Sequence, residues 1–467
     1  MRLPFAINCY RHRSLPVSAQ RVINWYAEAQ PADAKARVVL LPTPGLTVFA
    51  TLPQGPVRGL HVMGDVLYAV GGGALYRVTS GAAVTFVGNI DGTGAVSIAD
   101  NGTQLIVVEP VSRKAWVATE TSFQQITDAA FELPVGVDVL DGYAAFVKAD
   151  STEFFLSAIN DALTYDALDF ASAEGSPDNI VAIKRVGREL WLFGENTTEI
   201  WSNVGAADFP FLRVSGAFVE RGCAAAFSVA TGGGTVFWLG DDKVIYAADG
   251  FKPKRISTHA IEQAIAGYSR VDDARGWYYE QEGHQFFVLV FPDAGETWVY
   301  DLTTGAWHER ESEGYDTWRC ACGVAFATGI IGGDVRDGRL YRVDTVLYDD
   351  AGEEVRRSVT GTTMHAEQRM LRFSGLEAEM ESGTGLAYGQ GVEPYVWLQK
   401  SDDGGRTFGN ERWATLGRQG VYRTRVRWNR LGAARNRVFR ISMSDPVRTA
   451  LIAADFSVDA PAGTNAG

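Results

Sequence analysis

Short apolar runs separated by glycine-containing turns recur along most of the chain. The segment Gly64-Asp-Val-Leu-Tyr-Ala-Val is followed by Gly71-Gly-Gly-Ala-Leu-Tyr-Arg-Val, and Gly187-Arg-Glu-Leu-Trp-Leu-Phe repeats the pattern further along. Apolar runs this short, bounded by Gly, Asp or Asn, predict strands joined by tight hairpins. We therefore expect an all-β chain.

The turns of this pattern also recur with a regular period. They stand at positions 64, 101, 141, 187, 234, 283 and 337, with steps that grow from 37 to 54 residues. Four-stranded propeller blades repeat at about 40 to 50 residues. Radial stacking of blades buries the two faces that a single blade leaves open. The spacing predicts a β-propeller of six or seven blades over residues 46–345.

The N-terminal end of the chain has a different texture. A strand-like run begins at Arg21, and Pro42-Thr-Pro-Gly-Leu then interrupts regular structure. We expect residues 1–45 to form an extended arm that closes the ring or reaches a neighbouring molecule.

The C-terminal end differs again. Strand-like stretches at Val392–Lys400, Val421–Trp428 and Val438–Met443 predict a β-sandwich over residues 346–458. We expect a flexible tail over residues 459–467.

Helical signal is sparse. It is best at Ser257-Thr-His-Ala-Ile-Glu-Gln-Ala-Ile, where Ser257 or Thr258 would cap a short helix. One short helix within a propeller leaves the fold class unchanged.

Composition and charge narrow the function classes. The net charge of −13 argues against a general nucleic-acid binder. No apolar run has the length of a signal peptide or of a membrane span, so we expect no membrane anchor. Four cysteines are too few for a disulfide scaffold. Cys320 and Cys322 would share one face of a strand as buried free thiols, and we expect no metal and no cofactor.

The segment Ser401-Asp-Asp-Gly-Gly-Arg-Thr-Phe looks like an Asp-box. In such a turn the Asp side chain binds the turn amides, so we interpret the motif as structural.

Glycoside hydrolysis would need two carboxylates on opposite sides of a sugar. The sequence alone pairs none of the available acids, and solvated loop charges explain them better; they include Asp241, Asp242, Glu309, Glu311 and Glu313. The six histidines lie in no nucleophile elbow, and we expect no enzymatic activity.

The strongest local charge anomaly lies near the C-terminus, where no acidic residue interrupts positions 412–444. Three of its arginines alternate with other residues, so they would line one face of a strand. Such a face is a solvated surface, a contact with an acidic partner or a path for DNA phosphates. Because the rest of the chain is acidic, we favour a protein interface, and its candidate residues are Arg423, Arg425, Arg427, Arg430, Arg435, Arg437 and Arg440.

Several segments, in their order, resemble the packaged-DNA stabilisation proteins, or tail hubs, of short-tailed phages. They are Val22-Ile-Asn-Trp-Tyr-Ala-Glu before Pro42-Thr-Pro-Gly-Leu, the hairpin Leu67–Val78, Glu174-Gly-Ser-Pro-Asp-Asn-Ile-Val-Ala-Ile, Glu189-Leu-Trp-Leu-Phe-Gly, Thr198-Glu-Ile-Trp and the arginine-rich end. The resemblance spans nearly the whole chain.

The resemblance implies a structural subunit of the virion tail, assembled in the host cytoplasm. It implies a homohexameric ring below the portal and its adaptor ring, which seals the channel and retains packaged DNA until ejection. Expected partners are the portal-adaptor ring protein, tail needle, plug or fibre proteins, and the DNA that passes through the ring. No catalytic residues come with the family.

Two alternatives stay open at this point. One is a carbohydrate-active propeller enzyme, which needs a carboxylate pair and an aromatic cleft. The other is a glycan- or receptor-binding propeller that stacks sugars on its tryptophans. The strand positions of these tryptophans favour core packing instead; they are Trp191, Trp201, Trp238, Trp277, Trp298 and Trp307.

Overall fold

The computed structural model describes residue 5 and residues 8–173, 175–176, 178–327, 329–367 and 369–459. Within these ranges the chain is almost entirely β-structure, with one α-helix. Except for its first residue, the flexible tail expected over residues 459–467 lies outside the described residues, as do Glu174 and Pro177 of the central motif. The chain begins with five strands: β1 (Tyr10–Arg11), β2 (Ala19–Ile23), β3 (Trp25–Ala29), β4 (Val38–Pro42) and β5 (Gly45–Thr51).

Five propeller blades follow, each a sheet of four strands that are consecutive in the chain. Blade 1 contains β6 (Val57–Met63), β7 (Val66–Gly71), β8 (Ala74–Val78) and β9 (Val84–Asn89). Blade 2 contains β10 (Ser97–Asp100), β11 (Leu105–Glu109), β12 (Lys114–Ala118) and β13 (Phe123–Gln125). Blade 3 contains β14 (Pro134–Leu140), β15 (Tyr143–Lys148), β16 (Glu153–Ala158) and β17 (Asp161–Ser172). Blade 4 contains β18 (Ile180–Val186), β19 (Glu189–Gly194), β20 (Thr198–Asn203) and β21 (Phe211–Val219). Blade 5 contains β22 (Ala230–Gly232), β23 (Thr235–Leu239), β24 (Ile245–Asp249) and β25 (Lys252–Arg255).

Two further blades complete the ring. Blade 6 contains β26 (Arg275–Gln281), β27 (His284–Phe291), β28 (Glu296–Asp301) and β29 (Ala306–Glu309). Blade 7 contains β30 (Cys320–Phe326), β31 (Gly329–Asp334) and β32 (Arg339–Asp344), and its fourth strand is the N-terminal β5. The predicted all-β propeller is confirmed, and the number of blades is seven.

Helix α1 (His259–Ala266) lies between blades 5 and 6. The Thr258 hydroxyl accepts a hydrogen bond from the Ile261 amide, 3.4 Å away, and so caps the first turn. Ile261 and Ile265 are fully buried on one face. The helix that the sequence predicts at this place is confirmed.

The regular turns of the sequence are the hairpins between the first two strands of successive blades. Gly64, Gly187 and Gly283 have positive φ there, which glycine adopts without steric cost. The last turn of the series, at Asp337, joins β31 to β32 and is the second hairpin of blade 7. This change of hairpin explains why the final step is 54 residues long.

Apolar side chains fill the spaces between blades. Phe146 of blade 3 is fully buried, stacks on Phe155 with ring centroids 5.3 Å apart and packs edge-on against Phe131. The six tryptophans that are candidate sugar platforms by sequence are all buried in such positions. The predicted packing role of these tryptophans is confirmed.

The C-terminal region forms a β-sandwich. Its strands are β33 (Arg357–Thr360), β34 (Met364–His365), β35 (Leu371–Met380), β36 (Tyr395–Ser401), β37 (Arg412–Thr415), β38 (Val426–Ala434), β39 (Asn436–Met443) and β40 (Leu451–Asp459). One sheet has the order β3-β4-β40-β35-β38, and the other ends in β2-β33-β39-β36-β37. The strand expected from Val421 begins five residues later, at Val426, because the intervening residues form a turn.

Strands from the first 42 residues belong to both sandwich sheets. β2 pairs with β33 and, in parallel, with β29, so blade 6 and one sandwich sheet form a continuous sheet. The run from Arg21 is two strands rather than the one expected, because Asn24 has a φ of +54° and breaks it. β3 and β4 then enter the other sheet. This stretch was expected to be an extended arm; the domain boundaries themselves stay a prediction.

Cys320 and Cys322 do not share one face as expected. The pairing of β30 with β31 shifts between them, so the chain gains one residue there. Cys320 therefore packs in the core between blades 6 and 7, and Cys322 packs in the core between blades 7 and 1. All four cysteines are free thiols.

Candidate functional site

Five arginines of the C-terminal segment are exposed along one edge of the sandwich. They are Arg423, Arg425, Arg427, Arg430 and Arg435, which we call the arginine surface. They follow β38 from the turn before it to the residue after it, and β38 is the last strand of its sheet. Val426 and Trp428 alternate with them and are buried between the sheets, so the guanidinium groups face outward.

The arginine surface has one ion pair within the chain. The Arg425 guanidinium donates to both oxygens of Glu377, at 2.7 and 2.6 Å; Arg425 is exposed and Glu377 is half-buried. The other four arginines make no ion pair with described residues. The surface is therefore a source of positive charge on an otherwise acidic chain.

The two remaining candidate arginines, Arg437 and Arg440, lie elsewhere. Arg437 is buried, binds both oxygens of Asp402 at 2.6 and 2.8 Å and donates to the Leu431 carbonyl at 2.8 Å. It stabilises the sandwich from inside, and a partner cannot reach it.

Arg440 is half-buried on β39, in the other sheet. Its guanidinium carbon lies 3.4 Å from the centroid of the Phe408 ring. Burial, helped by the nearby charges of Arg356 and Arg21, lowers the pKa of Arg440 to about 10. The structure therefore does not bring Arg440 together with the arginine surface.

The Asp-box has the structural role that the sequence predicts. One oxygen of Asp403 accepts from the amides of Arg406 and Thr407, at 2.9 and 3.0 Å. Hydrogen bonds from Ser401 and Thr407 hold the pKa of Asp403 well below its usual range. A side chain at Gly405 would meet Ala19 of β2 at 2.4 Å, so glycine is required for the turn to pack against the N-terminal strand.

Sequence reasoning missed a groove beside the sandwich. It has a volume of about 510 Å³ and lies between the two outermost strands of one sandwich sheet and the loops that lead out of blades 6 and 7. We call it the tryptophan groove; its lining residues are Glu313, Glu353, Glu354, Arg356, Trp397, Glu411, Trp413 and Ser444. These residues are scattered from Glu313 to Ser444 along the chain, and only the cross-strand spacing of the two tryptophans gives a local signal.

Charge and aromatic surface meet in the tryptophan groove. Four carboxylates line it against one guanidinium, and Glu313 and Glu411 make no ion pair with described residues. The Trp413 side chain is 56% exposed, and its ring centroid lies 4.8 Å from that of Trp397. Trp397 is only 5% exposed, and its indole nitrogen has no hydrogen-bond partner among the described residues.

The propeller channel is the second candidate place for a catalytic site. It is a cavity of about 370 Å³ lined by the innermost strands of all seven blades, and no Asp or Glu is among its lining residues. Arg58, which lines it, lies 3.4 Å from the buried carboxylate of Glu109 and donates to two backbone carbonyls at 3.0 Å. The channel therefore does not offer the carboxylate pair that glycoside hydrolysis needs.

The acidic residues that the sequence offers for such a pair are already bonded to other groups or lie in different parts of the structure. Asp241 and Asp242 accept hydrogen bonds in the turn between β23 and β24, from the Gly222 amide and the Tyr246 hydroxyl. Glu309 is buried and pairs with Arg21, and Glu313 lies in the tryptophan groove. The described residues contain no group of three or more His, Cys, Asp or Glu that could hold a metal ion.

A buried ionic joint fixes the sandwich to blade 6. The Arg21 guanidinium on β2 binds both oxygens of Glu309 on β29, with Nε at 2.9 and 3.1 Å, and the Cys9 thiol donates to Glu309 at 2.9 Å. The Asn24 amide donates to the carbonyls of Glu311 and Arg356 at 2.9 and 2.8 Å. Residues of the N-terminal strands, of blade 6 and of the sandwich therefore meet at this joint.

Comparisons with known proteins give a consistent result for both regions. The family model described as "Bacteriophage P22 Gp10, beta-propeller" matches residues 1–348, and the one described as "Bacteriophage P22 Gp10, beta-sandwich" matches residues 356–459. No curated protein matches the chain significantly. In the part of the chain that the structure describes, no helix is long and apolar enough to cross a bilayer.

Solved structures add only distant likenesses. BamB from Moraxella catarrhalis matches with 10% identity and a TM-score of 0.41, over 73% of this chain and 97% of that chain. The computationally designed Ika8 protein matches with 13% identity and a TM-score of 0.40, over 70% of this chain and 99% of that chain. At these TM-scores the likenesses add nothing to the match with the family models.

Proposed function

The chain belongs to the bacteriophage P22 Gp10 family of phage tail hub proteins, and we propose that it forms a ring below the portal and its adaptor. In that position it would seal the channel and retain packaged DNA until ejection. The observation that carries this proposal is the match of the two family models to residues 1–348 and 356–459 in the family's order. The proposal is structural: contacts, not chemistry, are the protein's task.

Rigidity supports this role. A seven-bladed ring presents loops on two broad faces, and loops held by a rigid scaffold are suited to docking. The continuous sheet through β29, β2 and β33 keeps the sandwich at a fixed angle to those faces. A subunit of this kind holds neighbouring proteins in register when the pressure of packaged DNA acts on it.

The route of the DNA would lie between copies of the chain. The propeller channel has a volume of about 370 Å³, which is the size of a small-molecule pocket. A passage for duplex DNA therefore needs a ring of several subunits around a common axis, and a homohexamer is the form that the family resemblance implies. The net charge of −13 would discourage DNA from adhering to such a passage.

The arginine surface would serve as a protein contact in that assembly. Its guanidinium groups are exposed along the whole edge strand β38. Charged side chains on an edge strand prevent unspecific strand pairing, and arginine binds carboxylates through two hydrogen bonds at once. The surface is thus suited to a selective contact with an acidic partner.

The test uses phage particles assembled with and without this chain. We expect particles that lack it to package DNA and then lose it, so that nuclease-sensitive DNA appears outside the heads. Adding the purified protein should restore retention, and a particle reconstruction should show it as a ring below the portal adaptor. Heads that retain their DNA equally well without the chain, or complete virions that do not contain it, would contradict the proposal.

A further inference from the structure

We propose that the tryptophan groove of one copy receives the arginine surface of a neighbouring copy. The inference rests on the proposed ring and names the contact that would hold adjacent subunits together. It is carried by the presence, on one chain, of an acidic aromatic groove and an exposed arginine edge, whose described residues form no ion pair with each other.

The charges of the two surfaces are complementary. The arginine surface carries five guanidinium groups, of which only that of Arg425 has an ion pair with another described residue. The groove carries four carboxylates and one guanidinium, and Glu353 is the one carboxylate already paired, with the buried Arg319. Unsatisfied charges of opposite sign remain on both sides, which favours encounter in one orientation and penalises contact between like surfaces.

The groove also has the shape and chemistry that arginine requires. The exposed face of Trp413 offers a π-surface, and a guanidinium stacks on tryptophan better than on other rings. The groove already contains one example, since the Arg356 guanidinium lies 5.9 Å from the centroid of the Trp397 ring. Arginines that stack on Trp413 would find Glu313 and Glu411 at the rim as carboxylate partners.

The positions of the two surfaces require a second copy. Trp397 and Trp413 are cross-strand neighbours on the outer face of the sheet that contains β36 and β37. Arg425 and Arg427 lie beside Glu377 on the outer face of the other sheet. The two surfaces adjoin where the Arg412 guanidinium donates to the Arg430 carbonyl at 3.2 Å, but the Trp413 ring and the guanidinium groups of Arg425 and Arg427 point to opposite sides of the sandwich. A contact between unlike surfaces of identical chains is head-to-tail and closes into a ring when its rotation permits.

The experiment reverses the charges on each side and then on both. One variant carries Glu313→Lys and Glu411→Lys, the second carries Arg423→Glu and Arg427→Glu, and the third carries all four changes. All four side chains are exposed, so folding is checked by circular dichroism and should be unchanged. The control reverses two exposed acids of blades 1 and 2, Asp65→Lys and Glu120→Lys.

Each protein is added to particles that lack the chain, and its incorporation and the DNA retained are measured. We expect each two-residue reversal to reduce incorporation at least about tenfold, and the control to behave as the wild type does. The four-residue variant should recover most of the loss, because the reversed charges again attract each other. Incorporation of both two-residue variants at the wild-type level would overturn the contact, and so would a four-residue variant that fails as badly as its parents.

A covalent readout identifies the partner directly. Cysteines placed by Glu411→Cys and Arg427→Cys in one chain should form a ladder of linked copies after treatment of assembled particles with a thiol crosslinker. The same reaction on Glu120→Cys with Arg427→Cys should give none, and the native cysteines are buried or half-buried. A link from residue 411 to a different tail protein would also overturn the inference.

If wild-type protein enters particles and retains DNA while these tests fail, the tail-hub role stands and only this contact is refuted. If the wild type does not enter, the role itself is refuted.

Discussion

Blade 3 and blade 7 are four-stranded sheets of the same ring, but the chain builds them in different ways. Blade 3 uses four strands within residues 134–172, and its core is made of aromatic and aliphatic side chains. Blade 7 takes its last strand, β5, from the other end of the sequence. Beside it, the joint between blade 6 and the sandwich depends on the ion pair of the half-buried Arg21 with the buried Glu309. Local repeats thus build the ring, and long-range polar contacts close it and attach the sandwich.

The sharpest test of this difference is to remove the cation of the joint. Arg21→Met leaves the Glu309 carboxylate buried without its counter-charge, and losing one partner of a buried pair costs about 3 to 5 kcal/mol. We expect hydrogen exchange to rise in β2 and β33 while β14 to β17 stay protected, as measured by mass spectrometry of peptides.

Two further variants bracket this result. Phe146→Ala should cost a similar 3 to 5 kcal/mol or so by creating a cavity, but with increased exchange in blades 2 and 3 instead. Arg113→Met removes an exposed pair with Asp150 and should cost less than about 1 kcal/mol. If Arg21→Met and Phe146→Ala raised exchange in the same strands, the ring and the joint would be one cooperative unit, contrary to the comparison.

The joint should also respond to pH, through Glu296. Burial, helped by the charge of Glu309, raises the pKa of Glu296 to about 7. The folded protein therefore favours protonated Glu296, so this group stabilises the fold most below its unfolded pKa of 4.5 and loses that contribution as the pH rises through 7. Glu296→Gln should raise the free energy of unfolding at pH 8 by roughly 1 to 3 kcal/mol relative to the wild type.

That gain should vanish at pH 4, where both states of the wild-type protein carry a protonated Glu296. Urea unfolding at the two pH values measures it, and Glu120→Gln in an exposed loop of blade 2 serves as the control that should change nothing at either pH. A gain for Glu296→Gln that is equal at pH 4 and pH 8 would show that charge at this position is not the cause.

The smallest expected effect concerns the Asp-box turn, a local hydrogen-bonded motif that also packs against the distant N-terminal strand. Asp403→Ala removes hydrogen bonds to the Arg406 and Thr407 amides, so the turn should loosen where Gly404 and Gly405 pack against residues 16 to 19. We expect a small decrease in Tm and faster exchange in this turn and in β2. Glu120→Ala should leave both unchanged, and an Asp403→Ala protein with wild-type exchange in the turn would deny the motif its structural role.

The success of sequence analysis follows the same division. Blade turns such as Gly64 and Gly187 are visible because a positive φ selects glycine at each repeat. The helix after Thr258 and the Asp-box are visible because their hydrogen bonds are local. Each of these features is made by residues that lie within a few positions of one another in the chain.

The features that the sequence concealed are those made by distant residues. Nothing near Asn24 indicates that its backbone breaks a strand and sends the chain into the second sandwich sheet. A run of arginines does not distinguish Arg437, which pairs with Asp402 in the interior, from its exposed neighbours. The tryptophan groove brings Glu313 beside Trp413 only after blade and sandwich have joined.

The closing of blade 7 by β5 has a consequence for the order in which the protein is made. Synthesis proceeds from the N-terminus, so β5 leaves the ribosome about 290 residues before its partner β32 exists. During that interval blades 1 to 6 have all their own strands and can form in sequence, while β5 waits without its partner in blade 7. The nascent protein is therefore an incomplete ring with an unpaired N-terminal strand, and the ring can close only after Asp344 has been made, before the sandwich strands β33 to β40.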